Sequence, residues 1–184
     1  MCIAARVLKG DYEMKRIAKF EKVSYEQFKK DWVDTFPIAD EEVIRKVYED
    51  IKLPKRATAG SAGYDFCAPF DIVLKPSETI KIPTGIRVAM MNNWVLKCYP
   101  RSGLGFKYRL QLNNTVGIID SDYYFSDNEG HIFAKITNDS NENKMITIGA
   151  GAGFMQGIFV EYGITSDDDV SVKRNGGFGS TDGK

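Results

Sequence analysis

Carboxylates, hydroxyls and guanidinium groups, rather than imidazoles, are the reactive side chains that this sequence sets among glycines. Five stretches carry them: Ala62-Gly63-Tyr64-Asp65-Phe66, Pro100-Arg101-Ser102-Gly103-Leu104-Gly105, Asn114-Thr115-Val116-Gly117-Ile118-Ile119-Asp120-Ser121-Asp122-Tyr123, Gln156 behind a glycine-rich approach from Gly149 to Gly153, and Arg174-Asn175-Gly176-Gly177-Phe178-Gly179-Ser180-Thr181. Glycine lets backbone N–H groups come close to an anion, and Arg, Ser and Thr add donors for oxygen-rich groups. The last stretch is not a Walker loop, because Gly179 stands where that loop needs its lysine. Phe178, alone among glycines, suits stacking on a base, although the segment also reads as a disordered tail. Asp120 and Asp122 would share a face of an extended strand, and a carboxylate fixed beside a phosphate or metal can act as general base on water. The same pair also reads as a solvated acidic turn.

Composition removes other chemistries. A single histidine, His131, excludes His-pair zinc sites, and its place beside a turn glycine suits a structural or surface role. Lys+Arg and Asp+Glu number 25 each, so no basic excess advertises a nucleic-acid partner. Cys2, Cys67 and Cys98 are odd in number and irregular in spacing, which argues against a disulfide framework and for a reducing, cytoplasmic setting. No apolar run approaches the roughly 20 residues of a spanning helix, so no membrane association is expected. Asp167-Asp168-Asp169 lacks calcium-loop spacing and reads as a hydrated loop.

The elements that must position these groups change character near residue 60. Of the 17 glycines only Gly10 precedes Gly60, so the front reads as helical and the rest as strands and turns. Ser24 with Gln27 forms a capping-box pattern, followed by Tyr25, Phe28, Trp32 and Phe36 at helical spacing as far as Pro37. Asp40-Glu41-Glu42 opens a second helix with Val43, Ile44, Val47 and Ile51 on one face, ending before Pro54. Beyond residue 65 the period becomes two, and strands are expected at Ile72–Leu74, Thr79–Ile82, Ile86–Met90, Trp94–Tyr99, Ile132–Thr137, Met145–Ile148 and Phe154–Tyr162. Short strands without helical crossovers point to a sandwich or barrel. The expected organisation is a helical extension over 1–52, a β-barrel over 53–165 and a glycine-rich arm over 166–184.

Taken together and in order, the five stretches resemble the motifs of the trimeric dUTPase family, over roughly Leu53 to Thr181. The resemblance implies a mainly β fold, a distorted jelly-roll β-barrel to which the two helices are an addition. It implies a homotrimer with active sites between subunits, and hydrolysis of dUTP to dUMP and pyrophosphate with Mg2+. By position, Asp120 would be the general base for in-line attack on the α-phosphorus, and Tyr123 would pack on the deoxyribose. Asn114 would contact uracil, with Gly117 and Ile119 in a base-reading β-hairpin running from about Leu112 to Tyr123. Arg101, Ser102, Gly103 and Gln156 would hold the phosphate chain. Asp65 would help position the water shell of a metal carried on the phosphates. Arg174, Gly179, Ser180 and Thr181 would close over the β- and γ-phosphates, with Phe178 over the base.

The sequence departs from the family pattern at three places. Gly153 occupies the position of an arginine usually found three residues before Gln156, Lys173 or Arg174 can supply the basic residue of the last motif, and Tyr124–Glu129 lengthens the step from Tyr123 to Gly130. The longer step is similar to that of bacterial and phage members, some of which engage regulatory proteins, so a partner protein at the insert or at the helices is an alternative reading. A dCTP deaminase, which shares the barrel, is disfavoured because Lys135 stands where that enzyme would need a catalytic glutamate.

Overall fold

The structure, a computed structural model, describes residues 14–37, 40–172 and 174. Its elements are β1 (Ala18–Lys22), α1 (Tyr25–Thr35), α2 (Glu41–Asp50), β2 (Lys55–Arg56), β3 (Tyr64–Cys67), β4 (Ile72–Leu74), β5 (Thr79–Pro83), β6 (Ile86–Met90), β7 (Trp94–Pro100), α3 (Ser102–Tyr108), β8 (Leu110–Leu112), β9 (Gly117–Ile119), a 3₁₀ turn (Ser121–Phe125), β10 (Phe133–Asn138), β11 (Ile146–Ile148) and β12 (Gly153–Glu161). The strands form four ladders, β1-β6, β5-β10-β8, β11-β4 and β2-β3-β12-β7-β9. All their pairings are antiparallel, and the expected mainly β architecture is present. No ring of hydrogen-bonded strands closes among the described residues. No described helix is long and apolar enough to cross a membrane.

The front of the chain is not purely helical. Ala18–Lys22 forms β1 and pairs with β6 from Ala18↔Met90 to Lys22↔Ile86. Helix α1 starts at Ser24, whose hydroxyl accepts from the Gln27 N–H at 3.1 Å. Only this half of the capping box forms, because the Gln27 amide turns inward to Asp31 (2.9 Å) and the Ser24 N–H goes to Glu129 (2.7 Å). In α2, Asp40 caps the Glu42 N–H at 2.7 Å, and Ile44, Val47 and Ile51 face inward while Val43 is exposed. Phe28, Trp32, Ile44 and Ile51 join Phe66, Ile82, Leu96, Ile136 and Phe154 in one buried cluster, so the helices and the sheets share a core.

The joint between helices and sheets is the turn Pro83-Thr84-Gly85. Gly85 has φ +71°, and a Cβ there would stand 2.2 Å from Ile51 Cδ1 and 3.3 Å from the Phe28 ring. Left-handed backbone and overpacking each cost a side chain about 1–3 kcal/mol. Gly85→Ala should therefore lower the melting temperature by about 5 °C or more. Gly60→Ala, with nothing within 4 Å of the added methyl, should leave it nearly unchanged in the same thermal scan.

Candidate active site

The loop between β8 and β9 crosses from one sheet to another. β8 pairs with β10 and β9 with β7, so the expected hairpin spanning Leu112 to Tyr123 is instead a bent connection between ladders. Its turn is tight: the Leu112 carbonyl accepts the Thr115 N–H (2.9 Å), the Asn114 carbonyl accepts the Val116 N–H (2.6 Å), and Thr115 sits at φ 64°. Gly117 is needed for packing, since a Cβ there would lie 3.1 Å from the Cys98 Cβ. Behind this loop is a cavity of about 350 Å³, which Asn114, Gly117 and Ile119 line together with Cys98, Ala134 and Met155. Burial pushes the Cys98 thiol up to about 12, so it stays a neutral thiol in this wall.

Asp120 follows Ile119 directly. It is extended (φ −77°, ψ 156°) and opens the 3₁₀ turn without using its carboxylate as a cap. Tyr123 is buried in that turn, where its hydroxyl donates to the His131 carbonyl and accepts from the Asn128 amide, both at 2.8 Å. Burial raises the Tyr123 pKa, so the phenol stays protonated. Arg174 lies across this segment, with Nη2 2.6 Å from Asp120 Oδ2, Nε 3.2 Å from Asp122 Oδ1 and its guanidinium carbon 5.6 Å from the Tyr123 ring centre. Lys173, Phe178, Gly179, Ser180 and Thr181 lie outside the described residues.

A second group gathers elsewhere on the same sheet. Gln156 of β12 is flanked in register by Asp65 of β3 and Tyr99 of β7, and its Oε1 occupies the place where a Cβ on Gly63 would come within 2.7 Å. Arg101 follows β7 and reaches towards Asp65 at 3.8 Å, ahead of the exposed Ser102 and Gly103. Its side chain passes over Gly153, where a Cβ would meet Nη1 at 3.0 Å. The glycine in the arginine position of the fourth motif thus makes room for Arg101. Among the described residues no three His, Cys, Asp or Glu side chains gather as a metal cluster.

The two groups are separated along the strands. Asp120 is one residue past Ile119, level with Val95 of β7 and Val160 of β12, while Gln156 lies four residues back along β12. At about 3.3 Å per residue and about 4.8 Å per strand, Asp120 and Gln156 stand on the order of 15 Å apart, and Arg101 is further still along β7.

Sequence reasoning missed the connection that holds Asp120 and Tyr123 in place. His131 is fully buried: its Nε2 accepts the Gly85 N–H (2.7 Å), so Nδ1 carries the proton and donates to Asp31 of α1 (2.5 Å). The insert is tied to the same front segment. Glu129 accepts from the Ser24 N–H (2.7 Å) and hydroxyl (2.6 Å), and the Tyr124 hydroxyl donates to Glu21 (2.8 Å). Arg87 lies 3.6 Å from the Tyr124 ring centre and donates to its carbonyl at 3.1 Å. Lys81 and Lys135 also line the cavity, and neither was expected there. The only signal in the sequence was Lys135 standing in a glutamate's place.

The family model described as dUTPase matches residues 49–182. A curated deoxyuridine 5'-triphosphate nucleotidohydrolase of Lactococcus lactis is 42% identical over 134 residues, covering 71% of this chain and 88% of that protein. One from Tolumonas auensis is 37% identical over 142 residues, covering 74% and 91%. A crystal structure of dUTPase from Streptococcus mutans superposes with a TM-score of 0.58 at 31% identity, covering 80% of this chain and 98% of that one. A Staphylococcus bacteriophage 80alpha dUTPase, solved with dUpNHpp, shares the fold with a TM-score of 0.59 at 18% identity, covering 86% and 98%.

Burial pushes the Asp31 carboxyl up, but hydrogen bonds from His131 and Gln27 outweigh it and hold the group below its ordinary 3.8. A carboxyl so depressed stabilises the fold above its unfolded pKa, and that contribution is lost as pH falls through the lower folded value. Asp31→Ala leaves the buried His131 Nδ1–H unpaired and should cost about 2 kcal/mol at pH 6. The gap in melting temperature between wild type and Asp31→Ala should narrow once the pH is taken below 3.8, as thermal scans at pH 6 and pH 3 will read.

Proposed function

Because the chain belongs to the dUTPase family and is a dUTP diphosphatase, we propose that Asp120 deprotonates the water that attacks the α-phosphorus in line, releasing pyrophosphate. The observation that carries this reading is the placement of a carboxylate free of capping duties at the end of β9, directly after a residue that lines the cavity. Uracil enters that cavity, where Asn114 and the backbone at Gly117 and Ile119 meet the base. Tyr123, fixed by His131 and Asn128, presents its ring to the deoxyribose.

Arg101, Ser102, Gly103 and Gln156 hold the phosphates. Since they stand on the order of 15 Å or more from Asp120 in one chain, the phosphate group of one copy completes the site on the base cavity of another. The assembly is a homotrimer. Asp65 is a single partly buried carboxylate, which fits Mg2+ that keeps most of its waters and rests on the triphosphate rather than in a protein cage. Bound there, the metal would neutralise charge on the phosphate oxygens. Arg174 holds the Asp120 carboxylate before substrate arrives. It moves to the β- and γ-phosphates as the arm closes, bringing Ser180 and Thr181 to the phosphates and Phe178 to the base. The setting is cytoplasmic. The insert gives a second role some support, because Phe125 is 81% exposed on it, a placement suited to a regulatory protein partner.

Asp120→Asn should lower pyrophosphate release from dUTP by about 10²–10⁴-fold while leaving nucleotide affinity within a fewfold; retained turnover would remove Asp120 from the role of base. Arg101→Ala should also be inactive. Co-assembled with Asp120→Asn, it should regain part of the wild-type rate, because some sites then carry neither change. Mixtures that stay inactive would count against sites shared between copies.

A further inference from the structure

We infer that Asp31 of helix α1, acting through His131, is a positioning residue for Tyr123, so that the front segment sets how sharply the site tells deoxyribose from ribose. This rests on the reading that Tyr123 packs against the sugar. A wall excludes one extra hydroxyl group only if it is held to within about 0.5 Å, and that fixing comes from the residues behind it.

The Tyr123 ring is tied at its far end. Its hydroxyl donates to the His131 carbonyl and accepts from the Asn128 amide, both at 2.8 Å. The chain between the two residues is long for this step, and each added residue leaves more conformations to be frozen out. Gly130, at φ +71°, then brings that chain back so closely that a Cβ would come within 2.7 Å of the Tyr123 carbonyl oxygen. Three contacts from the front segment hold the stretch: Glu21 with Tyr124, Ser24 with Glu129 and Asp31 with His131.

The Asp31 contact acts nearest the phenol. The imidazole is fully buried, with the ring centres of Phe28 and Phe133 at 6.1 and 4.5 Å, and its two nitrogens bond to Gly85 and Asp31. Asp31 is itself aimed by the Gln27 amide at 2.9 Å. Without that carboxylate the Nδ1 proton is buried without its acceptor. The ring then turns to find another and carries with it the carbonyl to which Tyr123 is tied.

The test is the ratio of kcat/KM for dUTP to that for UTP, measured on the full-length protein well below each variant's melting temperature. A variant that merely unfolds more loses active enzyme for both substrates alike, so neither this ratio nor the KM for dUTP moves. In Asp31→Ala the ratio should fall about tenfold and the KM for dUTP should rise, while Asp31→Asn, which keeps an oxygen for His131, should restore most of both. Ile44→Ala, which thins the buried face of α2 away from this chain of bonds, should lower the melting temperature and leave the ratio at its wild-type value. An equal fall in Ile44→Ala would make the effect general loosening and overturn the inference. Glu129→Ala frees the stretch from Ser24 at a partly exposed position and should lower the ratio about two- to threefold; if Asp31→Ala does not fold, an unmoved ratio in Glu129→Ala overturns the inference. Tyr123→Ala reads the premise. Should it collapse the ratio while Asp31→Ala leaves it unmoved, the inference alone fails. Should Tyr123→Ala keep the wild-type ratio, the sugar reading of Tyr123 fails and takes the inference with it.

Discussion

The imidazole of His131 has two nitrogens, and both are committed inside the protein. One accepts from the backbone of Gly85 in the turn between β5 and β6, and the other donates to Asp31 on α1. The carbonyl of the same residue accepts from Tyr123. One residue therefore joins the helical front, the β5–β6 turn and the segment that bears Asp120. A ring with both nitrogens bonded has no lone pair to offer a substrate, so the chain's single histidine is a strut and not a catalyst. Gly85 permits this meeting, because any side chain there would displace Ile51 and Phe28 from the space beside the imidazole.

The strands that follow residue 70 were legible because several have one face in the core and one in water. In Ile72–Leu74 and Ile86–Met90 the alternation fixed both ends. Leu110–Leu112 was not picked out by alternation, and Gly117–Ile119 was expected only as part of the hairpin that the resemblance implied. Ala18–Lys22 was hidden for another reason: its charges at Lys19, Glu21 and Lys22 read as helical surface, whereas they decorate a strand paired on one side only, where charge discourages further pairing. Val43 was placed on the buried face of its helix by spacing alone, and it points to solvent.

The candidate site was legible as a set of residue types and not as an arrangement. Motif order brought out Asp65, Arg101, Asp120 and Gln156, but nothing local could show that Arg101 lies over Gly153 or that Asp120 ends a strand two places across the sheet from Gln156. Those are facts of register, set by pairings between distant segments. The same limit concealed Asp31. A carboxylate inside an amphipathic helix looks like surface until its partner arrives, and here that partner is 100 residues further on.

The front segment and the stretch after Tyr123 are bonded to each other as well as to the sheets. Remove the front, and Glu129 loses the Ser24 N–H and hydroxyl, Tyr124 loses Glu21, and the His131 ring loses its carboxylate. Shorten the stretch after Tyr123, and Ser24 loses the acceptor for its backbone N–H while Arg87 loses its aromatic face. Each segment is thus the other's scaffold, and selection acting on a lineage would tend to keep or discard them together. In a comparison of descendants, the length of the step from tyrosine to glycine should track the presence of the helices, two distant segments inherited as though they were one.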